Sequence, residues 1–344
     1  MDVISFDEAL ALEDQQSRRR VLLGNGFSIA CRPDIFTYDA LFEMAEFQDL
    51  DAPVRRAFDA LRTKDFEAVM RGLRTAAALL RVYSGDDATA ARLEEDAASL
   101  REILVRAIAG GHPPHPFEIT PEEYVSARHF LQHFRAIYTV SYDLLLYWTA
   151  MQELEPALEF DDGFRTPEEG TAEYVTWEVE KTDSQNVHYL HGALHVFDGG
   201  HEIKKYTWIN TGVRLIEQIR SAMEADLFPL FVAEGQSEEK LTRINRSNYL
   251  SRSYRSLPKI GGALYTFGIA FSDNDAHILR LIKANRKLAK LFVAVFGDPE
   301  SPPNQEMIQK ILGMNAERVE EGGRELLIRF YDARSARVWD RAVA

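Results

Sequence analysis

The feature that most constrains the fold is an apolar run, Val21-Leu22-Leu23, that leads into Gly24-Asn25-Gly26-Phe27-Ser28. A strand followed by a Gly-x-Gly-x-Ser turn is typical of phosphate-binding turns, because glycine adopts backbone angles closed to other residues and leaves room for a ligand. The start of the following helix would then direct free N–H groups toward an anion. A tight strand-to-helix turn without a ligand is the alternative interpretation.

Three further apolar runs end in polar or glycine-containing segments. In chain order these segments are Thr139-Val140-Ser141-Tyr142-Asp143, His188-Tyr189-Leu190-His191-Gly192 and Gly268-Ile269-Ala270-Phe271-Ser272-Asp273-Asn274-Asp275. In a doubly wound sheet, ligands bind beyond the carboxyl ends of the strands. We therefore expect all four segments at one ligand-binding edge of a sheet.

The order of predicted elements indicates the fold class. From residue 136 onward strands and helices alternate, which is typical of a mostly parallel sheet with helices on both faces. Apolar spacing instead predicts only helices between the first strand and Thr139, at 38–47, 54–61, 66–82, 88–108 and 121–134. We therefore predict an α/β protein with a Rossmann-like, mostly parallel, doubly wound sheet. Residues 1–37 and 136–344 would form this core, and residues 38–135 a large helical insertion lobe.

Individual elements outside the predicted lobe also follow from the pattern. Residues 160–184 form a polar stretch that predicts a hairpin or lid, and residues 228–232 predict the next buried strand. The other predicted elements are helices at 6–15, 144–151, 212–225, 238–256, 274–285 and 304–312, and strands at 263–268, 291–296 and 325–330.

Composition limits the class of protein. Apolar residues make up 46% of the chain and no apolar run reaches the ~18 residues that span a bilayer, so we expect a cytoplasmic protein that does not enter a membrane. A formal net charge of −14 opposes direct binding to nucleic acid. Cys31 is the only cysteine, which excludes intramolecular disulfides and a four-cysteine zinc site within the chain.

Taken together, the four segments resemble those of the sirtuin-like NAD-binding superfamily. That family has a Gly-Ala/Asn-Gly-x-Ser turn, a Thr-x-Asn-x-Asp strand end, a His-Gly strand end with the catalytic histidine, and a late Gly-x-Ser turn. The matching segments span residues 21–275. More narrowly, the chain is similar to a bacterial branch akin to the sirtuin-like NAD-consuming domains of antiphage defence systems.

The resemblance implies roles for individual residues. His191 matches the catalytic base, and Asp143 would hold the carboxamide of nicotinamide or orient water. Ser141 stands where the family has asparagine, so turnover could be weak or absent. Thr37 replaces the arginine that usually follows the phenylalanine over nicotinamide. The residues implied to contact NAD are Gly24, Asn25, Gly26, Phe27, Ser28, Phe36, Gly192, Gly268, Ser272 and Asp273.

The function implied by the resemblance is hydrolysis of NAD at the nicotinamide–ribose bond, with NAD as substrate and no metal. A sensor that binds NAD or ADP-ribose without consuming it is the first alternative, which Ser141 favours. A protein deacylase or ADP-ribosyl transferase is disfavoured because the paired zinc cysteines of deacylating sirtuins are missing. The resemblance also implies a homo-oligomer and a partner protein such as an ATPase or an Argonaute-like protein.

Several of these residues also have ordinary structural interpretations. Asp143 could cap the helix that follows it, and the segment Asp273-Asn274-Asp275 could cap the next one. Glu234, Gly235 and Lys240 follow another strand end and are weaker candidates.

Histidines raise the possibility of a metal site. His188, His191 and His195 are close in sequence, but residues 188 and 191 of a strand face opposite sides. His129 and His133 share a helical face without an evident third ligand, which favours packing or surface roles.

Overall fold

The computed structural model describes residues 2–45, 52–167, 174–207, 214–225, 227–232 and 237–340. Its centre is a seven-stranded sheet in which every pair of neighbouring strands is parallel. Across the sheet the strands are β1 (Val3–Ile4), β12 (Leu327–Asp332), β11 (Leu288–Val295), β10 (Gly262–Phe267), β2 (Arg19–Leu23), β3 (Ala136–Thr139) and β6 (Val187–Tyr189).

The interior strand β2, between β10 and β3, is buried on both faces, since Val21, Leu22 and Leu23 are inaccessible to solvent. Continuous apolar runs are typical of such strands in parallel sheets. From β2 the chain adds β3 and β6 on one side, and it later adds β10, β11 and β12 on the other. The direction of winding therefore reverses beside β2, where doubly wound sheets bind their ligands.

Helices surround this sheet. In the described part of residues 38–135 every element is helical. Up to residue 131 the α-helices are α1 (Phe6–Ala11), α2 (Gly26–Cys31), α3 (Pro33–Phe36), α4 (Tyr38–Met44), α5 (Ala52–Leu61), α6 (Phe66–Tyr83), α7 (Asp87–Gly111) and α8 (Pro121–Leu131). The later ones are α9 (Leu145–Met151), α10 (Leu215–Glu224), α11 (Ser237–Arg246), α12 (Asn248–Ser256), α13 (Ala276–Ala284) and α14 (Pro302–Glu320).

The predicted fold class is confirmed: the protein is an α/β protein with a Rossmann-like parallel sheet flanked by helices. One predicted helix, 238–256, is divided at Ser247, whose hydroxyl accepts a hydrogen bond from the Leu250 N–H and caps α12. None of the described helices is both long enough and apolar enough to cross a membrane.

A second, antiparallel sheet was not predicted. Its strands, in order, are β4 (Phe164–Arg165), β5 (Tyr174–Trp177), β8 (Ile203–Tyr206), β7 (Gly192–Asp198) and β9 (Pro229–Phe231). The strand predicted at 228–232 therefore belongs to this sheet. Gly192 explains the change of sheet, because its φ of +83° turns the chain away from β6. In the 160–184 stretch, β4 and β5 pair as a hairpin would, and residues 168–173 between them lie outside the described residues.

The turns after β2 and β10 contact each other backbone to backbone. The Gly24 N–H donates to the Phe267 carbonyl and the Gly26 N–H to the Gly268 carbonyl, each at 2.9 Å. A Cβ atom on Gly26 would lie 2.4 Å from the Gly268 Cα, and Gly268 itself has a φ of +68°. The close approach of these two turns therefore requires glycine on both sides.

We expect Gly26→Ala to lower the free energy of unfolding by about 1–3 kcal/mol, because two backbones must separate to admit the methyl group. Gly110→Ala is the matched control, since a Cβ at this helical position meets no atom within 4 Å. The control should leave the stability unchanged or raise it slightly. Urea unfolding of both variants checks this, and equal stabilities would contradict the described contact.

Candidate functional site

A cavity of about 360 Å³ lies at the carboxyl ends of β10, β2, β3 and β6, four neighbouring strands of the parallel sheet. All four sequence segments contribute to its wall. The predicted site residues that line it are Gly24, Asn25, Gly26, Phe36, Ser141, Asp143, His191, Gly268 and Ser272. Residues more than 240 positions apart in the sequence are thus brought together by the order of the strands.

The glycine turn after β2 forms one part of the wall. The expected free N–H groups are not found at Gly26, Phe27 and Ser28, whose N–H groups donate to backbone carbonyls at 2.9–3.0 Å. The Asn25 side chain donates to the Phe36 carbonyl at 3.0 Å. This hydrogen bond fixes Phe36, a residue 2% exposed, beside the turn. The turn therefore shapes the cavity mainly through its backbone path.

Asp143 is the centre of a buried hydrogen-bonded cluster. Its Oδ2 atom accepts from the Ser141 hydroxyl at 2.6 Å and also from the Ser28 hydroxyl. Its Oδ1 atom accepts from the Leu145 N–H at 2.8 Å, at the start of α9. Asp143 thus lines the cavity and also accepts the first N–H of α9, although the N-cap position itself is occupied by Leu144. Ser28 is fully buried and directs its hydroxyl toward this cluster.

Four predicted site residues lie outside the cavity wall: Ser28, Phe27, Gly192 and Asp273. Phe27 is buried against Trp339, with ring centroids 5.1 Å apart. Gly192 packs against β9, where an added Cβ would lie 1.9 Å from the Leu230 carbonyl oxygen. Asp273 forms an ion pair with Lys310 at 2.8 Å. The weaker candidates Glu234 and Gly235 lie outside the described residues.

His191 is paired with a histidine that the sequence did not single out. Its Nε2 atom lies 2.9 Å from the Nε2 atom of His277 on α13, and the two rings are stacked. Both side chains are buried. Burial, reinforced by Lys240 and the neighbouring histidine, holds the pKa of His191 well below its usual range. Burial also lowers the pKa of His277 to about 4. Both rings are therefore neutral near pH 7, and one donates to the other.

A second polar network reaches the cavity from α6 and α11. Glu67, in the first turn of α6, lines the cavity and accepts from the Tyr142 hydroxyl at 2.9 Å. The buried Lys240 ammonium lies 2.7 Å from Glu67 and 3.4 Å from Asp275. Sequence reasoning gave Lys240 little weight and did not identify Glu67. The only sequence signal for Glu67 was its position as an acidic residue near the start of a predicted helix.

Burial dominates the electrostatics of this network. It raises the pKa of Glu67 to about 7, against the opposing effect of Lys240 and with a further increase from Asp275. Burial alone would lower the pKa of Lys240, but the Glu67 and Asp275 carboxylates outweigh it and raise that pKa. The cavity thus contains a carboxyl group that changes charge near neutral pH, beside an ammonium group that remains charged.

The histidines considered for a metal site are separated. His188 stacks on Tyr138 and His195 packs against Tyr147, each with ring centroids 4.7 Å apart. Within the described part of the chain, the atoms of His191, Asp275 and His277 do lie within 4.8 Å of one another. Lys240, however, already places a positive charge next to Asp275. An ammonium in that position opposes a cation there.

Residues 21–339 match the family described as Domain of unknown function (DUF4917). The chain belongs to this family. The match begins within β2 and includes all four segments around the cavity, so the site lies within the matched region. No curated protein matches the chain.

The buried histidines should make stability depend on pH. Burial lowers the pKa of His112 and of His277 to about 4, whereas an unfolded histidine titrates near 6.5. The unfolded state therefore binds more protons between these values, and stability falls as the pH falls from about 6.5 to 4. Glu67 opposes this in part, because its raised pKa favours the folded state at low pH.

In urea unfolding between pH 6.5 and 5, His277→Gln should therefore reduce the slope of unfolding free energy against pH by up to about 1.4 kcal/mol per pH unit. Glutamine retains a donor and an acceptor for His191. A variant with the parental slope would show that His277 is not a buried neutral histidine.

We expect no stoichiometric zinc in the purified protein, and we expect chelators to leave its melting temperature unchanged, because Lys240 opposes a cation beside Asp275. Lys240→Met should increase the affinity of the His191, Asp275 and His277 cluster for zinc. Elemental analysis measures the zinc content of the parent, and zinc titration measures the affinity of the variant. One zinc ion bound per parental chain would contradict the assignment.

Proposed function

We propose that the protein hydrolyses NAD at the bond between nicotinamide and ribose. One observation carries the proposal: four sequence segments that resemble sirtuin-like NAD-binding motifs border a single cavity at the carboxyl ends of adjacent parallel strands. The residues were selected from sequence patterns, and their proximity in space is independent support for a common role. The volume of about 360 Å³ is within the range of small-ligand sites.

The charges around the cavity suit the reacting half of NAD. Nicotinamide carries a positive charge while it is attached to ribose, and the transition state resembles an oxocarbenium ion. Four carboxylate side chains are found among the described lining residues: Asp65, Glu67, Asp143 and Asp275. Negative groups fixed near a developing positive charge stabilise the transition state.

In the proposed reaction the bond from ribose C1′ to nicotinamide breaks, and neutral nicotinamide leaves with the bonding electrons. A water molecule forms the new bond to C1′ and loses one proton, so the products are ADP-ribose, nicotinamide and a proton. His191 would accept that proton, since its lowered pKa keeps it in the neutral form needed by a base. His277 would orient the imidazole through the Nε2 contact.

A protein that binds NAD or ADP-ribose without turnover is the second candidate. Ser141 favours it, because the Ser141 hydroxyl already donates to Asp143 at 2.6 Å and serine lacks the amide of the asparagine found in sirtuins. Both candidates bind the same ligand, and the appearance of free nicotinamide distinguishes them.

The resemblance also supports proposals about cellular context. A cytoplasmic antiphage effector would consume or sense NAD on a signal from a partner, such as an ATPase or an Argonaute-like protein. Homo-oligomer formation belongs to the same proposal. Light scattering of the purified protein measures the oligomeric state, and a phage challenge of cells that express the gene measures protection.

We expect His191→Ala to lower the rate of nicotinamide release by roughly 10²- to 10⁴-fold, the usual contribution of a positioned acid–base group. His201→Ala, at an exposed position between β7 and β8, is the matched control and should retain the parental rate. Chromatography of NAD incubations measures product, and melting curves establish the folded fraction. If the folded His191→Ala protein releases nicotinamide at the parental rate, the catalytic assignment is wrong.

A further inference from the structure

Glu67 enters the cavity from a part of the chain that carries none of the four sequence segments. It lies in the first turn of α6, where the Asp65 side chain accepts from the Glu67 N–H at 2.8 Å. This cap fixes the direction in which the helix begins. The Glu67 side chain is 15% exposed and lines the same cavity as His191.

The Glu67 carboxylate retains capacity for further hydrogen bonds. Tyr142 donates to Oε1 and Lys240 donates to Oε2. An ionised carboxylate has about four acceptor positions, two on each oxygen. The unused positions on a side chain that lines a cavity are suited to hydroxyl donors of a ligand.

Glu67 is not needed to neutralise the positive charge of Lys240. Lys240 already has Asp275 as a partner at 3.4 Å, so Glu67 makes the triad around the buried Lys240 net negative when ionised. A buried pair of charges contributes little to stability by itself because desolvation offsets the attraction. An extra, partly buried carboxylate beside a neutral histidine pair is therefore better explained by a ligand that donates hydrogen bonds or carries positive charge.

We propose that Glu67, in its ionised form, accepts hydrogen bonds from the hydroxyl groups of the ribose that bears nicotinamide. This inference rests on the proposed hydrolysis of NAD and adds a catalytic residue to it. The carboxylate holds the ribose through its hydroxyls and places negative charge near the carbon that becomes cationic as nicotinamide leaves. The predicted lobe thus supplies part of the reaction site rather than only a cover for it.

The role of the ionised form gives the reaction a pH dependence. The groups that face Glu67 are Tyr142 after β3, Lys240 on α11, Asp275 before α13, and Asp65 and Tyr38 from the helical region. Burial raises the pKa of Glu67 to about 7. The rate should therefore rise with pH through neutrality as Glu67 ionises.

The test compares Glu67→Gln with the parent and with Glu94→Gln. Glu94 lies on α7, where it forms an exposed ion pair with Arg81, so Glu94→Gln controls for the loss of a carboxylate in the same region. Calorimetry with ADP-ribose measures ligand affinity without turnover. The rate of nicotinamide release from NAD is measured from pH 5.5 to 9.

We expect Glu67→Gln to weaken ADP-ribose binding by about 10- to 100-fold, the range for a lost charge-assisted hydrogen bond. It should lower kcat more than it raises KM, and it should remove the increase in rate near pH 7. Glu94→Gln should match the parent. Tyr142→Phe removes a donor to the ionised carboxylate and should move the increase to higher pH.

Parental ADP-ribose affinity and an unchanged pH profile in Glu67→Gln would overturn the inference. If the parent binds ADP-ribose but releases no nicotinamide, the proposed hydrolysis fails and the affinity of Glu67→Gln alone decides the role of Glu67. If the parent binds neither ADP-ribose nor NAD, both proposals fail. If Glu67→Gln does not fold, the shift of the pH profile in Tyr142→Phe decides, and an unshifted profile contradicts the inference.

Discussion

Two backbone hydrogen bonds, from Gly24 to Phe267 and from Gly26 to Gly268, determine how closely the turns after β2 and β10 approach. These strands are neighbours in space although about 240 residues separate them in the chain. Because the winding of the sheet reverses here, a crevice is expected beyond the strand ends. Residues of α4, α6 and α7, on the connection between β2 and β3, complete the wall of the cavity. The positions of Asp143 and His191 follow from this arrangement, since β3 and β6 extend the same edge.

A neutral histidine pair and a charged network lie side by side at the cavity. His191 and His277 are buried and neutral, so they exchange a hydrogen bond rather than repel each other. Glu67 and Asp275 surround the buried Lys240 ammonium in a charged network that links α6 and α11 to the segment before α13. Such a network is costly without a ligand, because Lys240 loses its hydration and the two carboxylates lose much of theirs. A cationic, hydroxyl-rich ligand is the kind that offsets this cost.

Much of the fold was predictable because its signals are local. The apolar run Val21–Leu23, the helix predicted at 121–134 and the strand–helix alternation from α10 onward each depend on neighbouring residues, and each is present in the structure. The second sheet was missed because β7 continues directly from the glycine that ends the His-Gly motif. A turn with positive φ at Gly192 cannot be distinguished in sequence from the end of a strand.

Site residues were predictable only where they belong to a sequence motif. His191, Asp143 and Gly24 follow strands, and parallel strands align their carboxyl ends at one edge. Glu67 and His277 were not identified because their roles depend on how α6 and α13 pack against that edge, which no local pattern specifies. Ser28 matched the motif, yet it is fully buried against Asp143 because the helix start rotates its hydroxyl inward.

We propose above that the four strand ends form one site for the reacting half of NAD. A crystal structure of the protein with ADP-ribose tests it most directly, because ADP-ribose retains the hydroxyl groups of the reacting ribose. We expect this ribose in the cavity, within hydrogen-bonding distance of Glu67 and next to His191. ADP-ribose bound elsewhere, with the cavity between Gly24, Asp143 and His191 containing only water, would contradict it.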